Sequence, residues 1–600
     1  MRAHRSAAFK IAATLSFGLL GWTAHAATGA SSETQVETRS LLGSYLAGRM
    51  ARAQNDTPAA ATYYGKALEQ DPDNEVLVEQ AFHMEASEAN WTRVEELARK
   101  LVAAQPTHRT ARAFLGLAAF KHGRYQEAEE HFQEASAHPI GELTSTLARA
   151  WIYQAQNKTK DALAILDGQK LPDWASYFLR YHKALIADVA GRTAEARAAY
   201  ERMAKADQRT LRVTLAYASH AGHAGDTKLA QSILNTHLER TKGEGHPSVR
   251  ALLAQAEKGE RPELIVRNPA EGMSEVFYGL GEALSGEGSV SVGIVLLQFS
   301  LYLVPDSTFP LVTLASAREA TKRYAAAIDA YNHVPKGTPL EVNIEIRKAL
   351  NLNQLERVDE AKTLLEQLAN RHEDDMRPLE ALGSMMRGHK RYEEAAAYYS
   401  RAIALIDRPD EKYWSYYYSR GTCYERLKRL PEAEADLLKA LQLSPNQPLT
   451  LNYLGYTWID HNRNLRRGLS MVEKAVRLKP DDGYIVDSLG WAYFRLGNFK
   501  EAVKHLERAV ELRPEDPTLN DHLGDAYWRV KREREARFQW EQALTLKPDP
   551  EEAEKIKRKL EHGGLPPLTQ PRHTKRNKQV RRPERAKKSS EAAPGFPFFQ

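Results

Sequence analysis

The chain has 600 residues, more than one hydrophobic core usually holds, so several domains or an array of repeats are expected. Charged residues make up 27% and hydrophobic residues 42%, a composition typical of folded rather than disordered chains. The single cysteine, Cys423, excludes an intrachain disulfide and a cysteine-based zinc site, and a small buried hydrophobe is the simplest interpretation of it.

The N-terminus has the pattern of a secretory signal peptide, which we predict at residues 1–26. Basic residues up to Lys10 precede an apolar run at 11–22, and the small-residue cleavage site Ala24-His25-Ala26 follows. The run is too short to span a bilayer comfortably. We therefore expect an exported, periplasmic protein of a bacterium, soluble or peripherally associated. The alternative is an uncleaved signal that anchors the chain in the inner membrane.

The body of the chain divides into stretches that keep a helical rhythm to different degrees. A short linker is expected at 27–40, followed by a degenerate N-terminal array of paired helices at 41–242. The segment 243–272 contains two clusters of glycine and proline, so we predict an irregular boundary there. A middle array at 273–370 and a more regular C-terminal array at 376–548 complete the predicted body.

The C-terminal array repeats with a period of 34 or 35 residues. Three residue types keep this period independently: Gly421, Gly455, Gly490 and Gly524; Ala440, Ala475, Ala509 and Ala543; Pro445, Pro480, Pro514 and Pro548. Between these marks, apolar residues are spaced three, four and seven apart, which indicates two short amphipathic helices per repeat. The glycines and alanines suit close crossings of the two helices, and each proline ends the second helix.

The repeats resemble those of the tetratricopeptide repeat (TPR) family. One repeat matches its pattern at Leu489, Gly490, Tyr493, Gly497, Phe499, Ala502, Leu506, Ala509 and Pro514. The resemblance implies an all-α protein, an α-solenoid of about fourteen TPR-like helix-turn-helix hairpins that form a right-handed superhelix. It also implies a concave groove, lined by the first helix of each hairpin, that binds an extended peptide or a helix of a partner protein.

Residues of the first helices that do not match core positions are candidates for this groove. They are Tyr418, Asn452, Tyr456, Asp487, Trp491, Phe494, Asp521, Asp525, Trp528 and Arg529. Aromatic side chains are favoured anchors at interfaces, although aromatics at helical spacing also pack between hairpins. Because acids and aromatics dominate the set, we expect a partner that carries basic or aromatic residues.

The chain is predicted to end with a capping helix at 549–562 and a disordered basic tail at 563–600. The tail's candidates for contact with a polyanion are Arg572, Lys575, Arg576, Lys578, Arg581, Arg582, Arg585, Lys587 and Lys588. The segment 571–588 has a net charge of about +8, because Glu584 is its one acid, and without it the formal +6 of the chain becomes about −2. Four roles stay open: a solvated end, contact with anionic envelope polymer or lipid, folding back onto the acidic groove, and nucleic-acid binding, which export makes unexpected.

No motif for catalysis, nucleotide binding or metal binding stands out in the sequence. The polar cluster at 372–375 suits the N-terminus of a helix better than a metal site. We therefore expect no enzyme activity, no cofactor and no metal. The predicted function is a protein–protein interaction scaffold or adaptor of the bacterial cell envelope; the alternative is a non-catalytic TPR-like subunit of a system for synthesis or export of polysaccharide or cell-wall polymer.

Overall fold

The computed structural model describes residues 40–136, 138–168, 171–172, 174–206, 210–241, 245–286 and 289–566. These residues form thirty α-helices and no strand, which confirms the all-α solenoid class. They belong to two compact units, residues 1–361 and 362–600, and each unit is described by itself. The predicted signal peptide, nearly all of the predicted linker and the tail from residue 567 lie outside the described residues.

The N-terminal unit contains eighteen complete helices, and its boundary falls within a nineteenth. They are α1 (Leu41–Ala53), α2 (Thr57–Gln70), α3 (Glu75–Ser87), α4 (Trp91–Ala104), α5 (Arg109–Lys121), α6 (Tyr125–Glu134), α7 (His138–Ala155), α8 (Thr159–Asp167), α9 (Ala175–Val189), α10 (Thr193–Ala206), α11 (Leu211–His223), α12 (Thr227–Arg240), α13 (Pro247–Glu257), α14 (Pro269–Gly286), α15 (Val290–Leu303), α16 (Thr308–Ala320), α17 (Tyr324–Asn332), α18 (Glu341–Gln354) and α19 (Val358–Arg371).

The C-terminal unit contains eleven further helices and a short 3-10 helix at Glu411–Tyr413. They are α20 (Met376–Gly388), α21 (Tyr392–Ala404), α22 (Trp414–Arg426), α23 (Leu430–Leu443), α24 (Pro448–Asp460), α25 (Leu465–Leu478), α26 (Gly483–Arg495), α27 (Phe499–Leu512), α28 (Pro517–Arg529), α29 (Glu533–Thr545) and α30 (Pro550–Glu561). Across the described chain the helices follow one another as fourteen consecutive pairs, with α13 and α30 single.

Local chemistry sets where the helices begin. At α28, the Asp516 carboxylate accepts hydrogen bonds from the backbone N–H groups of Thr518 (2.9 Å) and Leu519 (3.1 Å), which the first turn of a helix otherwise leaves unpaired. Pro517 follows directly, where its fixed φ suits the first helical position. Asp482 caps α26 in the same way, so the second half of the array uses one capping scheme repeatedly.

In each hairpin whose turn is fully described, the turn contains at least one residue in the left-handed region, and so does the turn after the single helix α13. In the N-terminal unit these residues lie 34 apart, at Asn55, Ala89, Gly123, Asn157, Gly191, Gly225 and Gly259. The period therefore continues into the segment 243–272, where an irregular boundary was predicted and where α13 lies. The next such residue in the described chain is Lys322, 63 positions after Gly259, so the register changes around α14 and α15 instead.

The pair α14 and α15 packs across the first helices of the N-terminal hairpins. Helix α14 contacts α7 and α9, and α15 contacts α3 and α5. Phe299 of α15 lies 5.6 Å from Phe114 of α5, measured between ring centroids. Helix α15 is apolar around its circumference, as expected for a helix buried on several sides. The surface that such an array would present as a groove is therefore filled by the chain itself in this unit.

The glycines of the C-terminal array lie at close helix crossings, as predicted. A Cβ atom on Gly490 would lie 2.6 Å from Cγ of Leu506, and one on Gly524 would lie 2.6 Å from the Trp540 ring. Trp540 and Leu506 are fully buried. In these two hairpins a large side chain of the second helix lies against a glycine of the first, which sets a close distance between the two helices.

Candidate partner-binding surface of the C-terminal unit

The first helices of the C-terminal hairpins are joined side by side by polar contacts that repeat along the array. The contacts are Tyr416 to Glu380 (2.8 Å), Asn452 to Ser488 (3.1 Å), His522 to Asp487 (3.0 Å) and Lys559 to Asp521 (2.7 Å). The partners in each pair are 35 to 38 residues apart. The Tyr453 hydroxyl of α24 donates to Glu425 of α22 at 2.9 Å, which joins the remaining pair of neighbours. These contacts align α20, α22, α24, α26, α28 and α30 into one continuous surface, which we call the first-helix surface.

Trp491 of α26 is the central aromatic residue of this surface. Its ring stacks on the His522 imidazole, with centroids 4.0 Å apart, and on Phe494, with centroids 4.7 Å apart. His522 in turn bonds to the buried Asp487 carboxylate. Burial alone would lower the pKa of His522, but the adjacent Asp487 outweighs it, so the pKa lies above its usual range. The imidazole that Asp487 holds thus lies face to face with a half-buried tryptophan.

Asn452 and Tyr456 lie one and two turns along α24, beside the Trp491 cluster. The Asn452 amide donates to the Ser488 hydroxyl across the two helices. Tyr456 is half-buried, and burial together with the Asp460 and Asp487 carboxylates raises the pKa of its phenol to about 12. The phenol stays protonated at neutral pH, so it can donate a hydrogen bond to a bound segment.

Asp521 and Asp525 of α28 are covered by the last helix. The Lys559 ammonium of α30 contacts both carboxylates at 2.7 Å, and the Trp540 indole N–H donates to Asp525 at 2.9 Å. Burial raises the pKa of the Asp525 carboxyl to about 6 despite the ammonium beside it. The negative charge that the sequence placed at this end of the groove is therefore paired within the chain.

Trp528 and Arg529 are covered by the turn that follows α30. The Trp528 ring lies 5.7 Å from the Trp540 ring and against Gly564, whose φ of +120° favours glycine. The Arg529 guanidinium donates to the Pro566 carbonyl at 2.8 Å. Both side chains take part in closing the end of the array, so they do not line an open groove.

Tyr418 lies apart from the Trp491 cluster, in a cleft of about 290 Å³ between α20, α22 and α24. The cleft is also lined by Arg387, Arg426 and Tyr453. Nε of Arg387 is buried, and within the described part of the chain it has no hydrogen-bond partner. The cleft thus combines two cations with aromatic hydroxyls.

The structure therefore separates the ten predicted groove residues into three groups. Asn452, Tyr456, Asp487, Trp491 and Phe494 lie together on α24 and α26, Tyr418 lines the arginine cleft, and four residues lie under the C-terminal cap. His522, Arg387 and Arg426 were missed. His522 could have been found, because it lies one repeat after Asp487 and can pair with it. Nothing in the local pattern distinguishes Arg387 and Arg426 from the other arginines of the array.

The polyanion candidates from Arg572 to Lys588 lie outside the described residues. Cys423 is buried, and burial raises the pKa of its thiol to about 11. The described residues contain no cluster of histidine, cysteine or carboxylates that could hold a metal ion. Of the helices in the described ranges, none combines the length and the apolar character needed to cross a membrane.

Three family models match parts of the chain, all of them models of this kind of helical repeat. A model described as "TPR repeat" matches residues 490–531, and two described as "Tetratricopeptide repeat" match residues 414–447 and residues 88–139 and 346–409. A TPR repeat-containing protein of Pseudomonas aeruginosa is 28% identical over 200 residues, which is 32% of this chain and 32% of that protein. The chain thus spans about a third of this curated relative.

Two solved structures are similar to most of the chain at low sequence identity. One is the APC/C hetero-tetramer Cut9–Hcn1, with 12% identity, 88% of this chain and 96% of that chain covered, and a TM-score of 0.36. The other is yeast Tom70, with 16% identity, 87% of this chain and 95% of that chain covered, and a TM-score of 0.34.

Proposed function

We propose that this chain, which carries tetratricopeptide repeats, is a non-catalytic scaffold that binds a partner protein on the first-helix surface of its C-terminal unit. The observation that carries the proposal is the Trp491 cluster. A half-buried tryptophan, held between Phe494 and a histidine that Asp487 fixes, offers apolar area at low entropic cost. Tyr456 beside it supplies a hydrogen-bond donor.

The partner's binding segment carries an aromatic or apolar side chain and an acidic one. The first packs beside Trp491. The second enters the cleft of Arg387 and Arg426, where a carboxylate pairs with the two guanidinium groups; Nε of Arg387 has no hydrogen-bond partner among the described residues. A basic segment, which the sequence led us to expect, is less favoured because Asp487, Asp521 and Asp525 are already paired with His522 and Lys559.

The scaffold acts in the bacterial cell envelope, in the periplasm. The signal-peptide pattern at 1–26 supports this part of the proposal. The basic residues from Arg572 to Lys588 follow directly on the capped end of the array, where an anionic polymer or lipid surface is their proposed contact. Folding back onto Asp521 and Asp525 is less favoured, because Lys559 occupies both carboxylates.

The proposal is tested with Trp491→Ala in the full chain, using partner proteins captured from the native envelope by cross-linking and then purified. We expect the variant to bind the purified partner roughly tenfold more weakly or worse, as truncation of an interface anchor does. Phe538→Ala is the matched control, since Phe538 is an exposed aromatic on α29, a second helix. Equal affinity of the Trp491 variant and the wild type, with both folded, would contradict the proposal.

A further inference from the structure

The first helix of the N-terminal unit carries a stripe of exposed apolar side chains. On α1, Leu42, Leu46 and Met50 are spaced four residues apart and therefore lie on one face. Their exposed fractions are 65%, 51% and 66%, and Val76 at the start of α3 is 55% exposed. An apolar stripe of this kind is normally buried against a neighbouring element. At this end of the array, the described chain supplies no such neighbour.

A cleft of about 330 Å³ lies beside the stripe, between α1 and α3. It is lined by Leu41, Leu42, Tyr45, Asn74, Val76 and Leu77. Five of the six side chains are apolar or aromatic, and the cleft is large enough to accept a leucine or methionine side chain. The end of the array thus presents both a protruding apolar ridge and an apolar recess next to it.

The opposite end of the chain is finished differently. In the C-terminal unit, α30 buries Ile556 against the last hairpin and presents charged residues such as Glu551 and Lys555 outward, as a cap of a repeat array does. In the sequence, residues 27–40 contain Val36 as their only large apolar side chain. Among the described residues, the ridge has no apolar cover.

We propose that a second copy of this chain covers this end, so that two chains pair through α1 and α3. A two-fold pair is self-complementary, since the ridge of each copy enters the recess of the other. Charge favours the same occupant: α1 carries the exposed Arg49 and no acid, whereas α3 begins with the exposed Glu75. Across a two-fold axis, each copy's cation meets the other copy's anion around an apolar centre.

The test measures the mass of residues 27–600 in solution, because this chain retains every described residue. Sedimentation velocity from low micromolar to about 100 µM covers the range in which modest protein affinities form complexes. We expect a concentration-dependent species of twice the chain mass, which Leu46→Glu abolishes. Phe538→Glu, an exposed aromatic changed in the C-terminal unit, leaves it unchanged. A chain that stays monomeric throughout, or a dimer that persists in the Leu46 variant, overturns the proposal.

A second measurement does not depend on affinity. The native Cys423 is buried, so a cysteine introduced on α1 is the reactive thiol of the chain. Among Leu42→Cys, Leu46→Cys and Met50→Cys, we expect at least one to form a covalent dimer rapidly on mild oxidation. Phe538→Cys should not. Equal rates for the α1 variants and Phe538→Cys would show random collision and would exclude a pair through α1.

Discussion

Buried carboxylates of the C-terminal unit each have a basic partner, and the partner usually comes from another helix. Asp436 accepts two hydrogen bonds from Arg420, at 2.7 and 2.8 Å, Asp487 bonds to His522, and Lys559 bridges Asp521 and Asp525. A buried charge without its partner is costly, because the desolvation is no longer compensated. The Arg420–Asp436 pair therefore joins the two helices of one hairpin, whereas the other pairs join α26 to α28 and α28 to α30.

Lys559→Met should destabilise the C-terminal unit by about 3 kcal/mol, because two buried carboxylates lose their shared cation. Chemical denaturation monitored by circular dichroism measures the loss. Lys555→Met is the matched control on the same helix: its ion pair with Glu551 is solvent-exposed, so the free energy of unfolding should change little. Losses of the same size in both variants would mean that helix propensity, and not charge pairing, is responsible.

Histidine 182 should make the N-terminal unit sensitive to acid. It is buried, its Nδ1 accepts a hydrogen bond from the Trp151 indole at 3.0 Å, and burial lowers its pKa to about 4. The unfolded chain binds the proton below pH about 6.5, whereas the folded chain does so only below about 4. Stability is therefore complete above pH 6.5 and falls by about 2 kcal/mol from pH 7 to 5.

Denaturation curves for His182→Gln across this pH range check the assignment. Glutamine does not titrate and can still accept from Trp151, so the part of the pH dependence due to residue 182 should disappear. An unchanged difference between pH 7 and pH 5 would assign the acid sensitivity to other groups.

At the residue scale, the sequence predicted which glycines lie at close helix crossings, but it did not predict which side chains the surface aromatics contact. Gly490 and Gly524 lie at the close crossings that their periodicity indicated. Trp491 and Trp528 looked alike, because both are aromatics of first helices outside the core positions, yet only Trp528 lies under the C-terminal cap. Their difference comes from Gly564, which lies against the Trp528 ring, and from Leu565, which packs on the same apolar cluster; both follow the repeats and have no place in the repeat pattern.

At the scale of elements, the pair α14 and α15 fills the groove along the first helices α3, α5, α7 and α9 of the N-terminal hairpins. Buried polar contacts fix its position: Gln298 donates to the Ser87 carbonyl at 3.0 Å, and Glu275 accepts from Arg212 and from the Tyr181 hydroxyl. Gly272 allows the Trp151 ring to lie against the start of α14. The sequence placed these helices in a separate middle array. It could not show that they pack on the N-terminal hairpins, because the contacts join residues about 90 to 210 positions apart.

The turns explain why the repeats of the N-terminal half look degenerate in the sequence. Their left-handed residues keep a strict 34-residue spacing, yet they include Ala89 and two asparagines besides the glycines. Non-glycine residues rarely adopt this conformation, so composition alone does not reveal them. The same regularity carries the array through 243–259, where glycine and proline had indicated a break.

Glu275→Gln should loosen the α14–α15 pair. The change leaves the Arg212 guanidinium without its carboxylate in a buried site, so we expect a loss of about 3 to 5 kcal/mol. Hydrogen exchange of α14 and α15, followed by mass spectrometry, should show faster exchange there than in α1 and α2. The control is Glu263→Gln, which removes an exposed partner of Arg267 and should change little. Similar exchange in both variants would contradict this role for Glu275.

Two truncations separate the C-terminal cap from the tail. A chain that ends at Pro566 keeps the cover over Trp528 and Arg529, so its melting temperature should equal that of the full chain. A chain that ends at His562 loses Leu565 from the apolar cluster around Trp528, and we expect a loss of about 1 to 2 kcal/mol in the C-terminal unit. Thermal melting measures both, and equal melting temperatures would show that Leu565 adds nothing.

At the scale of the whole molecule, the two units use one repeat in different ways. In the N-terminal unit α14 and α15 cover the first helices α3, α5, α7 and α9, whereas in the C-terminal unit the first helices present Tyr456 and Trp491 partly exposed. The sequence predicted the fold class and the hairpin number, because both depend on a short local period. It did not predict which groove is filled, since that depends on contacts between distant repeats.

The most direct test of this account is site-specific photo-crosslinking in cells that produce the full chain. A benzophenone amino acid replaces Tyr456 in one variant and Phe538, on the second helix α29, in another. We predict that Tyr456 gives a discrete covalent adduct with a partner protein and that Phe538 gives none. Adducts at Phe538 without any at Tyr456 would contradict binding on the first-helix surface.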